Sequence, residues 1–454
     1  MTKEGSAQTL MILGASGDLT ARLLLPGLGA LLAAGDAPPV TLVGAGMDEW
    51  DAGRWQDRVR KAFGEHADAG QAAPTLAGTR YARADVTSAD DLRRLLDGAD
   101  GAVSIFFALP PAVTVKACEA LLEVGLPEGT RLVLEKPFGT SASSAASLNR
   151  LLNRLAPEER IHRVDHFLGK STVLNILGLR FANRIFEPLL GSEHVESVDI
   201  VFDEQLALEG RAGYYDKAGA LADMIQSHLL QILALLTMEA PLSLDPAVFR
   251  DATAEALRAT RLWGGDAKTS SLRARYAGYA GEPGVDPARE TETLAEIVLA
   301  VDNWRWAGVP FRLRSGKALG TGRKEAVVTF KHPPRIPSGF RGPDQPDRLR
   351  ISFGPDRLAL DFDINGPGDP FVLDPVTLEA EFGPGGLPPY GEVLRGVFED
   401  DPLLSVRGDT AEQCWRIVEP VTSAWRAGQV PLLEYEAGGS GPEESLLSPT
   451  RTAG

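Results

Sequence analysis

The octapeptide Arg163-Val164-Asp165-His166-Phe167-Leu168-Gly169-Lys170 gathers two bases, a carboxylate, a histidine and a turn-permitting glycine. A carboxylate beside an imidazole sets its tautomer and steadies its charged form, and neighbouring cations can hold an anionic ligand. A solvated turn between domains would have the same composition, so the octapeptide by itself is open to both readings. His228 is a second candidate, a general base with an ordinary pKa near working pH. It falls on the apolar stripe Leu221, Ile225, His228, Leu229, Ile232 and Leu236, where a histidine is more often a satisfied core residue. The third candidate is Gly14-Ala15-Ser16-Gly17-Asp18-Leu19, whose glycines would let the backbone approach a pyrophosphate at a helix N-terminus. Its spacing is a variant of the dinucleotide fingerprint, with Thr20 where a third small residue is usual, and a tight turn alone would also fit it.

These residues need elements to hold them. Residues 9–13 read as a buried strand and 23–34 as an amphipathic helix, so the glycine turn joins strand to helix. Residues 40–44, the Asp85-Val86 region, 103–109 and 132–134 supply further strands, and Ser88 caps a helix over 91–96 with Asp90 and Asp91 in its first turn. Pro110-Pro111 breaks the chain at the carboxyl end of a strand, where open α/β sheets place their ligands. Strands and helices in alternation predict a parallel sheet covered on both faces.

Beyond the octapeptide, Ser171 can cap a helix carrying Val173, Leu177, Phe181 and Ile185, and a second helix runs from about Ala220 to Leu236. Residues 195–202, 294–301, 311–313, 326–330, 348–352 and 358–362 read as strands of an antiparallel sheet, with linkers at 278–286, 332–347 and 366–369. The expected architecture is an α/β Rossmann-like dinucleotide-binding domain over residues 1–170, followed by a larger α+β domain with a mainly antiparallel sheet over 171–454. The Gly/Ser-rich tail, 438–454, is expected to be mobile.

Across 454 residues, 46 Lys+Arg face 62 Asp+Glu, a net charge of −16. That balance argues against nucleic acid or an anionic membrane as the main partner. It also requires the cations that meet any anionic ligand to be concentrated at its site. No apolar run has the length of a membrane span, and the first residues carry no secretory h-region. Cys118 and Cys414 are too few for a disulfide framework or a cysteine zinc site, and a reducing cytoplasm fits.

Taken together, the motifs resemble the glucose-6-phosphate dehydrogenase family. GASGDL (14–19), EKPFG (135–139), RVDHFLGK (163–170), LRFANRIF (179–186), EGRAGYYD (209–216), DMIQSHLLQ (223–231) and WRWAGVPF (304–311) occur in that order over nearly the whole chain. The resemblance implies oxidation of D-glucose 6-phosphate at C1 to 6-phospho-D-glucono-1,5-lactone, with hydride passing to NAD(P)+, in the oxidative pentose phosphate pathway. It implies His228 as the general base and Asp165 as the carboxylate that orients it. It assigns His166 and Lys170 to the phosphate, Glu209 and Asp223 to sugar hydroxyls, and Lys317 to the substrate. Lys136 is expected to meet substrate beside the nicotinamide. The cofactor is expected on Gly14, Ala15, Ser16, Gly17, Asp18 and Leu19, with Met47, Asp48, Leu109, Pro110 and Lys136. No metal is required, because the nicotinamide accepts the hydride. A homodimer or homotetramer is also implied.

Two departures from the family pattern matter. Phe167 stands where tyrosine is usual, and losing one phosphate hydrogen bond should cost about 1–2 kcal/mol, roughly tenfold in affinity. At the cofactor, Arg22 is flanked by Ala21 and Leu23, and Met47-Asp48-Glu49 follows the second strand where an arginine is usual. A carboxylate there suits a free ribose 2′-hydroxyl and repels a 2′-phosphate, although Arg54 or Arg58 can reach back. NAD is therefore expected to serve at least as well as NADP. The rival readings are a related dehydrogenase with altered sugar or sugar-phosphate specificity, resting on Phe167, and a catalytically silent paralogue acting as a binding subunit. The presence of His228, Asp165 and Lys170 argues against the second.

Overall fold

The computed structural model describes residues 7–35, 37–208, 212–342, 345–383, 385–442 and 446. They form two compact units. The first is Met1–Lys170 with Pro241–Asp251 and Gly385–Glu412, and the second is Ser171–Ala240, Ala252–Pro384 and Gln413–Gly454. Two later segments therefore return to the first unit, in place of a single division that leaves 171–454 together.

In the first unit, β1 (Gln8–Leu13), β2 (Val40–Gly46), β3 (Arg80–Arg83), β4 (Ala102–Phe107), β5 (Arg131–Glu135) and β6 (Ile161–Val164) form one sheet. The order is β3-β2-β1-β4-β5-β6 and every pair is parallel. This is the doubly wound arrangement, and β1 is buried along its whole length as both-face cover requires. The third strand lies at Arg80–Arg83 and not at Asp85-Val86, because the Asp85 carboxylate accepts the Thr87 N–H and hydroxyl and turns the chain.

The returning segment Gly385–Glu412 builds on this sheet. Its helix Pro389–Glu399 shares a core with Leu25–Ala34, and a Cβ at Gly27 would come within 2.7 Å of Tyr390 Cβ. At the sheet edge, Val406 N–H donates to Arg163 O (2.9 Å), and His162 Nδ1 meets Ser405 Oγ at 3.0 Å. Arg163 is fully buried, and its guanidinium binds Glu158 (2.8 and 3.2 Å) and Asn149 (2.8 Å). One base of the octapeptide is thus a fixture of the fold.

In the second unit the strands are β7 (Val195–Asp203), β8 (Thr260–Leu262), β9 (Ser271–Tyr276), β10 (Leu294–Val301), β11 (Pro310–Gly316), β12 (Arg323–Phe330), β13 (Arg348–Phe353), β14 (Asp356–Asn365), β15 (Leu373–Glu381) and β16 (Leu432–Tyr435). They run β15-β14-β13-β12-β7-β11-β10-β9-β16, with β8 also on β10. Only β7–β11 and β9–β16 pair in parallel, so the sheet is mixed and mainly antiparallel.

The helix Ser171–Phe181 stops short of Ile185, which is exposed. Asn183 ends it by donating to the carbonyls of Gly178 (2.9 Å) and Leu179 (3.2 Å). Ser171 is its first residue, and its hydroxyl donates to Asp356 (3.3 Å). The tail is tied down where it is described: Gly438 N–H donates to Ala318 O (2.7 Å), Gly439 O accepts from Gly320 N–H (2.8 Å), and Leu446 N–H donates to Glu296 (2.7 Å). Residues 443–445 and 447–454 lie outside the described residues. Among the described residues no helix is long and apolar enough to cross a membrane.

Candidate active site

β1 delivers the chain into Gly14 at φ 85°, and a Cβ there would lie 2.3 Å from Ala108 O and 2.9 Å from Leu109 Cδ2. Gly14 and Ala15 donate to Ala45 O (2.9 and 3.1 Å), which anchors the turn to the end of β2. Arg58 donates to the carbonyls of Ser16 (2.8 Å) and Gly17 (2.9 Å). A Cβ on Gly17 would meet only Gly14 O, at 3.2 Å, so the turn is open on its outer side. Gly14, Ala15, Ser16, Gly17 and Asp18 thus form a cradle at the carboxyl ends of β1 and β4, with Leu109-Pro110 beside it. These residues fit a pyrophosphate. The helix that follows is π-wound over Thr20–Leu24, just after Asp18 and Leu19.

Past β2, Met47 and Asp48 are exposed, while Glu49 is ion-paired to Arg83. Arg54 and Arg58 lie over the Trp50 ring, 4.8 and 5.1 Å from its centroid. One of the carboxylates expected to repel a 2′-phosphate is therefore neutralised by a partner, and two guanidiniums stand nearby.

The octapeptide continues from β6 into a tight turn. Asp165 is buried and its Oδ1 accepts the Phe167 N–H (3.0 Å); Leu168 N–H donates to Asp165 O (3.0 Å) and Lys170 N–H to Phe167 O (3.0 Å). Gly169 is required for space and not for a positive φ, because a Cβ there would sit 2.5 Å from Pro389 O. The buried Phe167 ring lies under Lys170 Nζ, 3.8 Å from the centroid. His166 stacks on Tyr390 at 6.0 Å.

Tyr390 also neighbours the Glu135 carboxyl at the end of β5, next to Lys136. Burial pushes Glu135 up to about 8, against the pull of Tyr390 and Lys136, and the charge of Asp165 pushes it further. At neutral pH Glu135 is therefore a neutral carboxylic acid. Glu135 and Tyr390 were not singled out from sequence; EKPFG holds one of them, but its burial against a distant helix has no local signal. His162 is held down at about 3 by burial and by Arg131, so it stays neutral and structural.

In the second unit, His228 and Asp223 sit on Leu221–Leu229, a stretch wound as π-helix that continues as Leu230–Thr237. Both π-wound stretches of the described residues adjoin motif residues, as π-turns often do at functional sites. His228 is 1% exposed. The helix is fixed at both ends by charges opposed to its dipole. At its start, Glu292 Oε1 accepts the Leu221 N–H (3.0 Å), and a Cβ on Gly219 would lie 2.3 Å from that oxygen. At its end, the buried Arg180 donates to the carbonyls of Leu235 (2.7 Å) and Met238 (2.8 Å) while held by Glu187 (2.9 and 3.0 Å).

Lys317 is ion-paired to Glu204 and lies 5.4 Å from the Tyr215 ring centroid. Burial, and then the nearby Asp223, hold the Tyr215 hydroxyl well above its ordinary range. Asp223 and Lys317 therefore both neighbour Tyr215. Glu209 lies outside the described residues. Arg180, Glu292 and Tyr215 are further residues that sequence reasoning missed; Arg180 and Tyr215 do fall inside quoted motifs.

The doubly wound parallel sheet with its glycine cradle defines a dinucleotide-binding unit, joined in one chain to a unit built on a mixed sheet. Residues 11–175 match the family model "Glucose-6-phosphate dehydrogenase, NAD binding domain" and residues 177–451 match "Glucose-6-phosphate dehydrogenase, C-terminal domain". The chain belongs to the glucose-6-phosphate dehydrogenase family. A glucose-6-phosphate 1-dehydrogenase of Gluconobacter oxydans is 37% identical, covering 96% of this chain and 94% of the relative. The crystal structure of glucose-6-phosphate 1-dehydrogenase from Mycobacterium avium superposes with a TM-score of 0.85 at 31% identity, covering 97% and 96% of the two chains. A glucose-6-phosphate dehydrogenase in complex with its substrate glucose-6-phosphate gives 0.87 at 26% identity, covering 98% and 97%.

Proposed function

We propose that the chain oxidises the C1 hydroxyl of D-glucose 6-phosphate to 6-phospho-D-glucono-1,5-lactone, with His228 as general base. The observation that carries this reading is a buried histidine on a π-wound helix that charged side chains hold at both ends. A bound nicotinamide dinucleotide supplies the hydride acceptor; the rest of the chemistry falls to the chain. His228 takes the hydroxyl proton as the C1–H bond breaks, and Asp165 is its carboxylate partner by motif. A buried imidazole in an ordered helix is held in position at little entropic cost when the substrate arrives.

Lys170 and His166 hold the phosphate. The ring of Phe167 under Lys170 supports this, since it favours an ammonium in place without neutralising it. Asp223 and, by motif alone, Glu209 take sugar hydroxyls, and Lys317 and Lys136 meet the substrate.

NAD serves at least as well as NADP in this reading, because exposed Asp48 follows β2, where a carboxylate suits a free ribose 2′-hydroxyl. Assembly as a homodimer or homotetramer and a cytoplasmic location complete it. The family supports the first, and two buried cysteines that form no disulfide among the described residues suit the second. The test is an initial-rate matrix of sugars and sugar phosphates against NAD and NADP. Glucose 6-phosphate should give the highest kcat/KM; phosphate-free glucose turning over equally well would favour the altered-specificity reading.

A further inference from the structure

We propose that a cavity in the second unit, walled by the start of the Leu221–Leu229 helix, residues 288–292 and residues 422–426, binds a small polyanion carrying clustered phosphate or carboxylate oxygens. Its volume is about 510 Å³ and its lining includes Lys217, Arg273, Arg289 and Arg426. That is ample space for a small metabolite. In a chain of net charge −16, four cations around one cavity are a local reversal of sign.

The carboxylates of the wall are already engaged within it. Asp216 accepts from Asp286 N–H (3.1 Å), Arg289 (3.0 Å) and the Tyr279 hydroxyl (3.3 Å). Glu290 accepts from Arg273 Nη2 (3.2 Å), whose Nε is fixed on Val430 O (3.1 Å). Glu292 is buried and turned to the Leu221 N–H (3.0 Å), and burial pushes its pKa up to about 7, which removes part of its charge at neutral pH. Lys217 and Arg426 are left: both are exposed, and among the described residues neither has an ion-pair or hydrogen-bond partner. One flexible ammonium and one guanidinium, facing a cavity whose other two cations, Arg273 and Arg289, are held by Glu290 and Asp216, can converge on an oxyanion cluster.

None of these residues is among those assigned to substrate or cofactor, yet the wall shares Glu292 with the helix that carries Asp223 and His228. Occupancy of the cavity would therefore be felt at the first turn of that helix.

The experiment is isothermal titration of the full chain with pyrophosphate and, separately, with citrate, each at saturating glucose 6-phosphate so that the catalytic phosphate site is filled. A binding event is expected with at least one probe. It should weaken at least tenfold in the double variant Lys217→Ala/Arg426→Ala, whose melting temperature and anion-free kcat/KM should match the parent. Tighter binding of pyrophosphate assigns a phosphate-bearing ligand, and tighter binding of citrate a polycarboxylate. No binding of either probe, or affinity unchanged by the double substitution, overturns the proposal. The heat of binding is independent of turnover, so this outcome is separate from that of the rate matrix.

Discussion

Lys170 Nζ stands 3.8 Å from the centroid of the buried Phe167 ring, so the residue that departs from the family's usual tyrosine is the floor beneath a lysine of the same turn. The ring face attracts the ammonium and costs it no charge, unlike a carboxylate partner. A Phe at this position removes a hydroxyl and keeps a support.

Phe167→Leu should therefore raise the KM for glucose 6-phosphate by about three- to tenfold, with kcat little changed, since about 1 kcal/mol of cation–π attraction is lost. Phe167→Tyr should lower that KM by up to about tenfold through one added hydrogen bond. Steady-state kinetics on the two variants check both directions. A Tyr variant with weaker binding would show that the ring's burial leaves no room for a hydroxyl.

Glu135 gives a pH signature in stability. Its folded-state value is near 8 against an ordinary value of 4.5, so the folded chain holds a proton that the unfolded chain releases. The stability this carboxyl permits is fully present below about pH 4.5 and is lost progressively as pH rises towards 8, with no further change above. Glu135→Gln mimics the protonated form. Between pH 5 and 8 denaturant unfolding should show the parent losing stability relative to Glu135→Gln; parallel profiles would place the Glu135 pKa at its ordinary value.

Arg180 anchors the end of the His228 helix by donating to two carbonyls in its last turn and just beyond. Arg180→Met leaves both carbonyls buried without that donor and should destabilise by about 3 kcal/mol in equilibrium unfolding. Because the proposed base, His228, rides on this helix, kcat should fall more than KM rises. Arg180→Lys should recover part of the loss, since a point charge cannot span both carbonyls and Glu187.

At the cofactor end, the parent should use NAD at least as efficiently as NADP. A preference for NADP above about a hundredfold in kcat/KM, near 3 kcal/mol, would contradict this. Arg54→Ala separates the two contributions: the guanidinium over Trp50 would serve only a 2′-phosphate, so its loss should lower NADP efficiency about tenfold and leave NAD unaffected.

Much of the fold was legible because its signals are local. The apolar run into Gly14 and the Ser88 cap formed as expected, as did a helix through His228, although Leu221–Leu229 is π-wound and burial extends beyond the expected stripe to Met224, Gln226 and Ser227. Misplacements came where a side chain outweighed propensity, as Asp85 did with Thr87 and Asn183 did at the helix that stops before Ile185. What sequence could not show is long-range desolvation. Burial pushes Glu135 up, and Tyr390, which opposes that shift, comes from a segment that returns to the first unit. Arg163, one of the octapeptide's two bases, is spent on Glu158 and Asn149. Arg180 was visible in LRFANRIF, but its carbonyl partner Leu235 lies 55 positions further on.

The central claim is that His228 is the base, and replacing it by asparagine tests this most directly. Asn keeps the polarity and approximate size of the side chain and cannot take the proton, so kcat with glucose 6-phosphate should fall at least about a hundredfold with KM little altered. The acidic limb of the kcat pH profile should disappear with it. Turnover within tenfold of the parent, with that limb unchanged, would contradict the account.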